Sequence, residues 1–405
     1  MSAKDKPVFM VFCLWTFVLL CRPQDIFTLM QPVRPAFTVG FVLMIFAFLY
    51  SKNIDFKIHF KERQVKYYFS LILIMIIGIP FSLYPRLSFM LIFNNYMSII
   101  VFFLFFINLV NTIKRLLAVL LIGCFGSGLY LTFALVTGKL GTSRLSFSDT
   151  FDPNDLAFFA LSFLWLNLIF ISRGYPFLIR VACIGSFFVG VSTVFLTGSR
   201  GGFLAFGLAM MIMLLMNSAI LTNFQKIAFV VFGVFLLVIM PVKTERIQTL
   251  FSIEQDYNVQ EETGRLAIWG IGLRAMVDNP VTGVGVGCFS NAVGLDRATR
   301  GADTLRWQTA HNSAIQIGAE TGFIGLALFL CLSLNVIRDI KIVKKETTSI
   351  QLRKIAELGI VGFVGMFISA MFLSQAYSIY WVLYIAITIT ATRLLKRENS
   401  AVSGN

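Results

Sequence analysis

This chain has little charge, few histidines and almost no long polar stretch. Charged residues make up 13% of its 405 positions. A soluble domain carries roughly 25%, so an ordinary soluble enzyme is excluded. Histidine occurs only at His59 and His311, which removes multi-histidine metal centres. Asp-x-Asp, His-x-x-x-His and Glu-x-x-His patterns are missing from the segments expected to face outward. No metal and no cofactor are therefore expected. Of the six cysteines, Cys13, Cys21, Cys124, Cys183 and Cys331 lie in or beside apolar runs. They read as small buried hydrophobes. Cys288 alone lies in a polar interval, where it is expected to be exposed. A lone cysteine there excludes an internal disulfide.

Apolar sequence is abundant, with 57% hydrophobic residues. Several runs approach the ~20 residues that cross a bilayer as helix. Twelve candidate spans follow: 8–21, 36–50, 67–84, 88–110, 116–136, 156–171, 181–196, 203–216, 226–242, 314–336, 356–373 and 378–395. The first could pass for a signal sequence. No small-residue cleavage site follows it, only Arg22-Pro23-Gln24-Asp25, so it reads as a retained span. The expected class is an all-α polytopic membrane protein. Residues 1–241 would hold spans one to nine, 242–312 a long loop, and 313–405 spans ten to twelve with a tail.

The net charge of +14 does not point to nucleic acid, because the basic residues fall in short loops between spans. With the N-terminus inside, the inner segments hold 21 lysines and arginines and the short outer loops hold six. That asymmetry satisfies the positive-inside rule. Both termini are then cytoplasmic and the 242–312 loop faces outward, away from ATP and nucleotide sugars. Any chemistry there needs a donor already activated and delivered in the membrane.

Within the loop, Thr263 is a plausible N-cap. Leu266, Trp269, Leu273 and Met276 recur at helical spacing, predicting an amphipathic helix over 264–277. Asp278-Asn279-Pro280 stops it. The glycine-rich run Thr282–Gly287 lacks a surrounding strand–helix unit and is no dinucleotide fingerprint. It reads as a tight turn at the membrane surface. Asp296 to Arg306 is a polar, basic run.

The candidate site residues lie at expected helix starts on the outer side. Ser199 is a natural N-cap, followed by Arg200. Arg265 repeats the arrangement after Thr263-Gly264. Each arginine taken alone fits a snorkelling or solvated side chain. Two together, beside free helix N–H groups, suit a phosphate or pyrophosphate. His311 precedes span ten, where a helix N-terminus keeps the ring neutral and able to accept a proton. It equally suits a hydrogen-bonded interfacial residue. Asp152-Pro153-Asn154-Asp155 opens span six. Asp152 there is standard capping chemistry, and with Asn154 it could also bind sugar hydroxyls. Asn312 completes the candidate substrate contacts. Glu320 lies inside span ten, where an ionisable group is costly, and has no assigned role. His59 sits in a basic cytoplasmic loop and reads as incidental.

Three groups of residues resemble the bacterial O-antigen ligase and O-antigen polymerase-like family. They are Leu196-Thr197-Gly198-Ser199-Arg200-Gly201-Gly202; Gly264-Arg265-Leu266-Ala267-Ile268-Trp269 with Asp278-Asn279-Pro280-Val281-Thr282-Gly283-Val284-Gly285; and Ala310-His311-Asn312-Ser313 with Glu320-Thr321-Gly322-Phe323-Ile324-Gly325. The resemblance is strongest over 150–335. It implies a GT-C-like, metal-independent glycosyltransferase in the bacterial inner membrane. The implied donor is a glycan on undecaprenyl pyrophosphate. The implied acceptor is lipid A–core in a ligase, or another lipid-linked repeat unit in a polymerase. It assigns Arg200 and Arg265 to the pyrophosphate and His311 to the acceptor hydroxyl. A twelve-span transporter or flippase is the rival class. Two related six-span halves would favour it, and none is visible.

Overall fold

The computed structural model describes residues 5–50, 60–141, 144–148, 151–216, 222–239, 263–301 and 306–403. His59 and the stretches 240–262 and 302–305 of the polar interval lie outside them. Helices dominate: α1 (Lys6–Cys21), α2 (Pro35–Leu49), α3 (Arg63–Ile77), α4 (Pro85–Leu109, with a π-turn at Leu91–Tyr96) and α5 (Ile113–Thr137). After these come α6 (Pro153–Phe170), α7 (Phe177–Leu196), α8 (Arg200–Leu215) and α9 (Asn223–Ile239). The remainder is α10 (Arg265–Asp278), α11 (Phe289–Thr299), α12 (Ser313–Glu346), α13 (Ile350–Ala370) and α14 (Ile379–Ser403).

Each expected apolar segment overlaps one of these helices, but 67–84 runs past the end of α3 at Ile77 and residues 240–242 of the ninth lie outside the described residues. Among the described residues, six are long and apolar enough to cross a membrane: α4, α5, α6, α7, α12 and α14. A multi-pass membrane protein follows, since a bilayer admits only backbone that is hydrogen-bonded within the protein. Proline in the first turn pre-sets φ for α1, α2, α4 and α6.

The all-α expectation needs one correction. Lys139–Gly141 (β1) pairs antiparallel with Arg144–Ser146 (β2). Leu145 is buried while Arg144 and Ser146 are half-buried, the period-two alternation of a strand. The hairpin leads toward the start of α6.

The polar interval differs from expectation in five ways. Gly264, not Thr263, is the N-cap of α10. The face of α10 that packs inward carries Ile268, Ile271, Gly272 and Met276, while Leu266 and Leu273 are exposed. Of the expected stripe, Met276 is buried and Trp269 half-buried, while isoleucine and glycine fill the close contact with α12. A second helix, α11, occupies part of the expected basic run. Cys288 is fully buried, with its sulfur 3.2 Å from Ser82 Oγ.

The glycine run is not a surface turn. It is packed into a break in α12, where Gly322 adopts φ 70° and ψ −172°, a region essentially restricted to glycine. The break frees carbonyls that apolar surroundings leave costly. Val284 N–H donates to Ala319 O at 2.8 Å and Gly285 N–H to Glu320 O at 3.2 Å. Phe323 N–H donates to Pro280 O at 2.8 Å. The Glu320 carboxylate completes the join, accepting from Gly287 N–H at 2.9 Å, Phe289 N–H at 3.1 Å and Tyr377 O–H at 2.6 Å. Two of these donors lie at the start of α11, where backbone N–H groups have no partner within the helix. Glu320 thus fixes the loop to the bundle.

Candidate active site

Four helix starts converge on one polar cavity of about 180 Å³. The starts of α6, α8 and α10 contribute Asn154, Ser199 with Arg200, and Arg265. His311 enters just ahead of α12, and Arg144 reaches in from β2. Gly198, Gly201, Thr263, Ile268, Gln308 and Phe372 complete the wall. Each helix start carries roughly half a positive charge. Three arginines add to that field, so the cavity is built for an anion.

Local chemistry holds each start in place. Asp152 caps α6, accepting from Asn154 N–H at 2.7 Å and Asp155 N–H at 2.8 Å. Ser199 caps α8 through Gly202 N–H at 3.2 Å. Asn312 caps α12, its Oδ1 accepting from Ala314 N–H at 2.9 Å and Ile315 N–H at 3.1 Å. Asp152 and Asn312, expected as substrate contacts, are placed as helix caps and are not among the residues that line the cavity. Ser199, Asn154, Arg200, Arg265 and His311 line the cavity itself.

Arg144 was not singled out by sequence. Its Nε donates to Thr197 O at 2.8 Å and its Nη2 to Asn154 Oδ1 at 2.8 Å. It bridges the end of α7 to the start of α6, with its guanidinium at the cavity wall. The available signal was the alternation of Arg144-Leu145-Ser146, too short to read as a strand.

His311 is held in a left-handed conformation, φ 47°. Its ring lies within 3.4 Å of Thr309 Oγ1. Burial lowers its pKa below the ordinary 6.5, the Arg265 charge lowers it further, and Asp152 partly opposes both. The ring is therefore neutral near pH 7 and able to accept a proton.

A larger cavity, about 820 Å³, lies among α1, α5, α6 and α7. Its walls are almost entirely apolar, from Leu14 and Phe17 to Val189, with no charged side chain. It offers no group for phosphate or proton transfer.

A protein from Rickettsia conorii (strain ATCC VR-613 / Malish 7), named "Putative polysaccharide ligase", is 24% identical over 196 residues. That match spans 46% of this chain and 44% of the relative, so less than half of either. A family model described as O-antigen ligase matches residues 185–330. The stretch that carries Ser199, Arg200, Arg265 and His311 thus matches the O-antigen ligase family, as the motifs indicated.

Proposed function

We propose that this protein is an O-antigen ligase-type membrane glycosyltransferase. It would transfer a glycan from undecaprenyl pyrophosphate to a hydroxyl of lipid A–core on the periplasmic face of the inner membrane. The observation that carries this reading is the meeting of Arg144, Arg200, Arg265 and His311 in one cavity. Arginine binds phosphate oxygens bidentately, and a neutral imidazole beside them can activate a nucleophile.

The reaction is a single inverting displacement. His311 accepts the acceptor's hydroxyl proton while that oxygen attacks the anomeric carbon. The bond from that carbon to the pyrophosphate oxygen breaks. Arg200, Arg265 and Arg144 stabilise the negative charge left on undecaprenyl pyrophosphate. Helix starts facing the same point contribute without reorganising.

His311→Ala and Arg265→Ala are expected to abolish glycan transfer in a complemented deletion strain, with expression and membrane insertion unchanged. Removing one preorganised charge partner typically costs 10²–10³ in rate. Full transfer by His311→Ala on a lipopolysaccharide gel would remove the base assignment. The deletion strain also separates this reading from a polymerase of the same family. A ligase loss leaves bare core and accumulated lipid-linked polymer, and a polymerase loss leaves one repeat unit on core.

A further inference from the structure

The connector between α13 and α14, residues 371–378, lies outside the stretch matched by the family model. It nevertheless touches three of the elements that build the cavity. Along its length it is stitched to one face of α12. Ser313 Oγ donates to Leu373 O at 2.9 Å and accepts Gln375 N–H at 3.0 Å. Gln316 Oε1 accepts Ala376 N–H at 3.2 Å, and Tyr377 O–H donates to Glu320 at 2.6 Å. Positions 313, 316 and 320 follow helical spacing, so the connector runs alongside the first turns of α12. Gln375 Nε2 also donates to Asp155 Oδ1 on α6 at 2.8 Å. Phe372 lines the cavity and lies against Gly201 of α8, whose absent Cβ would sit 2.7 Å from it.

At the centre of these contacts, Ser374 Oγ accepts the backbone N–H of His311 at 2.9 Å. Left-handed backbone at a residue other than glycine costs of order 1–3 kcal/mol and persists only where the surroundings over-determine it. Here the restraints are visible on every side. Trp269 Nε1–H donates to Ala310 O at 2.9 Å, Asn312 is fixed as the cap of α12, and Ser374 takes the His311 N–H itself. Without the Ser374 hydroxyl, that half-buried N–H loses its partner, and the restraint that acts on the His311 backbone itself is removed.

We propose that residues 372–377 form a positioning strap in which Ser374 locks the His311 backbone so that its ring faces the arginine cavity, and Gln375 sets the strap's distance from α6. Ser374 does not line the cavity, so it is a positioning residue and acts through His311. This inference rests on the reading of His311 as the base.

The test uses the full-length protein in lipid nanodiscs, with an undecaprenyl-pyrophosphate-linked oligosaccharide as donor and lipid A–core as acceptor. Misplacing a reacting group by about 1 Å costs up to about 10²-fold. Ser374→Ala is therefore expected to lower kcat about 10- to 100-fold with the donor KM unchanged. Ser374→Thr, which keeps the hydroxyl, restores most of it. A second readout needs no substrate. The chain has two histidines, so His59→Gln leaves a single imidazole for labelled-histidine NMR. Ser374→Ala should shift and broaden that signal, and Ser374→Thr should not. Gln375→Leu, which spares the Ser374–His311 bond, should lower kcat less, again at constant KM. It substitutes for Ser374→Ala if that variant does not fold. Unchanged kcat and an unchanged signal in whichever variant folds overturn the strap. Transfer by His311→Ala overturns the underlying reading instead, so the two failures are distinguishable.

Discussion

His311 and Arg265 are coupled through charge. Burial lowers the imidazole pKa most, the guanidinium lowers it further, and Asp152 raises it. A folded pKa below the unfolded 6.5 means that, as pH falls through 6.5, the unfolded chain takes up the proton first. Stability from this site is therefore present above that pH and is lost below it. The neutral base survives to a lower pH than free histidine would allow. In the His59→Gln background, Arg265→Gln should move the His311 titration upward, toward 6.5, and Asp152→Asn should move it downward. An upward shift in Asp152→Asn would contradict the arrangement. At this scale the sequence singled out Arg200, Arg265 and His311, because each stands at a helix start beside a cap or a glycine, and all three line the cavity. It did not reveal Arg144, whose three-residue strand is defined only by pairing with Lys139–Gly141.

Among the elements, α12 is the informative case. Its sequence reads as one apolar span, yet it is broken at Gly322 and rejoined by the glycine run. A Cβ at position 322 would lie 2.5 Å from Pro280 O, in a conformation that L side chains rarely adopt. Gly322→Ala should lose at least the 1–3 kcal/mol of such strain, seen as a lower thermal unfolding midpoint in detergent. A midpoint equal to that of the parent would show that the break is not required. The break gives Glu320 its position. From sequence, an ionisable group in a span signals only expense. Three of its donors, Gly287, Phe289 and Tyr377, come from segments 31 to 57 residues away, beyond the reach of any local pattern. The face of α10 was legible only in part for a related reason: Met276 is buried as expected, but the rest of the stripe is set by the fit of Gly272 against Ile315 and Phe289.

Across the whole molecule, charge separates two ends. The end opposite the cavity is tied by long-range ion pairs and hydrogen bonds. Arg115 meets Asp5 at 2.7 Å, Arg393 meets Glu62 at 2.6 Å, and Gln64 meets Asp339 at 2.8 Å. In the proposed orientation, taken from the positive-inside bias, that end would lie in the cytoplasm and the cavity outside. Single cysteines test this placement. Ala298→Cys, on the exposed surface of α11, should react with a membrane-impermeant maleimide in cells with a permeabilised outer membrane. Lys345→Cys, exposed near the end of α12, should react only after lysis. The reverse pattern would invert the topology and remove the periplasmic reading.

Apolar run length, proline placement and capping residues determined the helices, because in lipid the backbone must satisfy itself within each segment. The same local rules placed two arginines and one histidine at helix starts. The resemblance already grouped them in one site; tertiary structure alone decided the cavity they line, that Arg144 joins them, and that the connector 371–378 holds His311 by its backbone. These contacts link residues tens to hundreds of positions apart. They exist only once the helices have packed, so no periodicity along the chain encodes them.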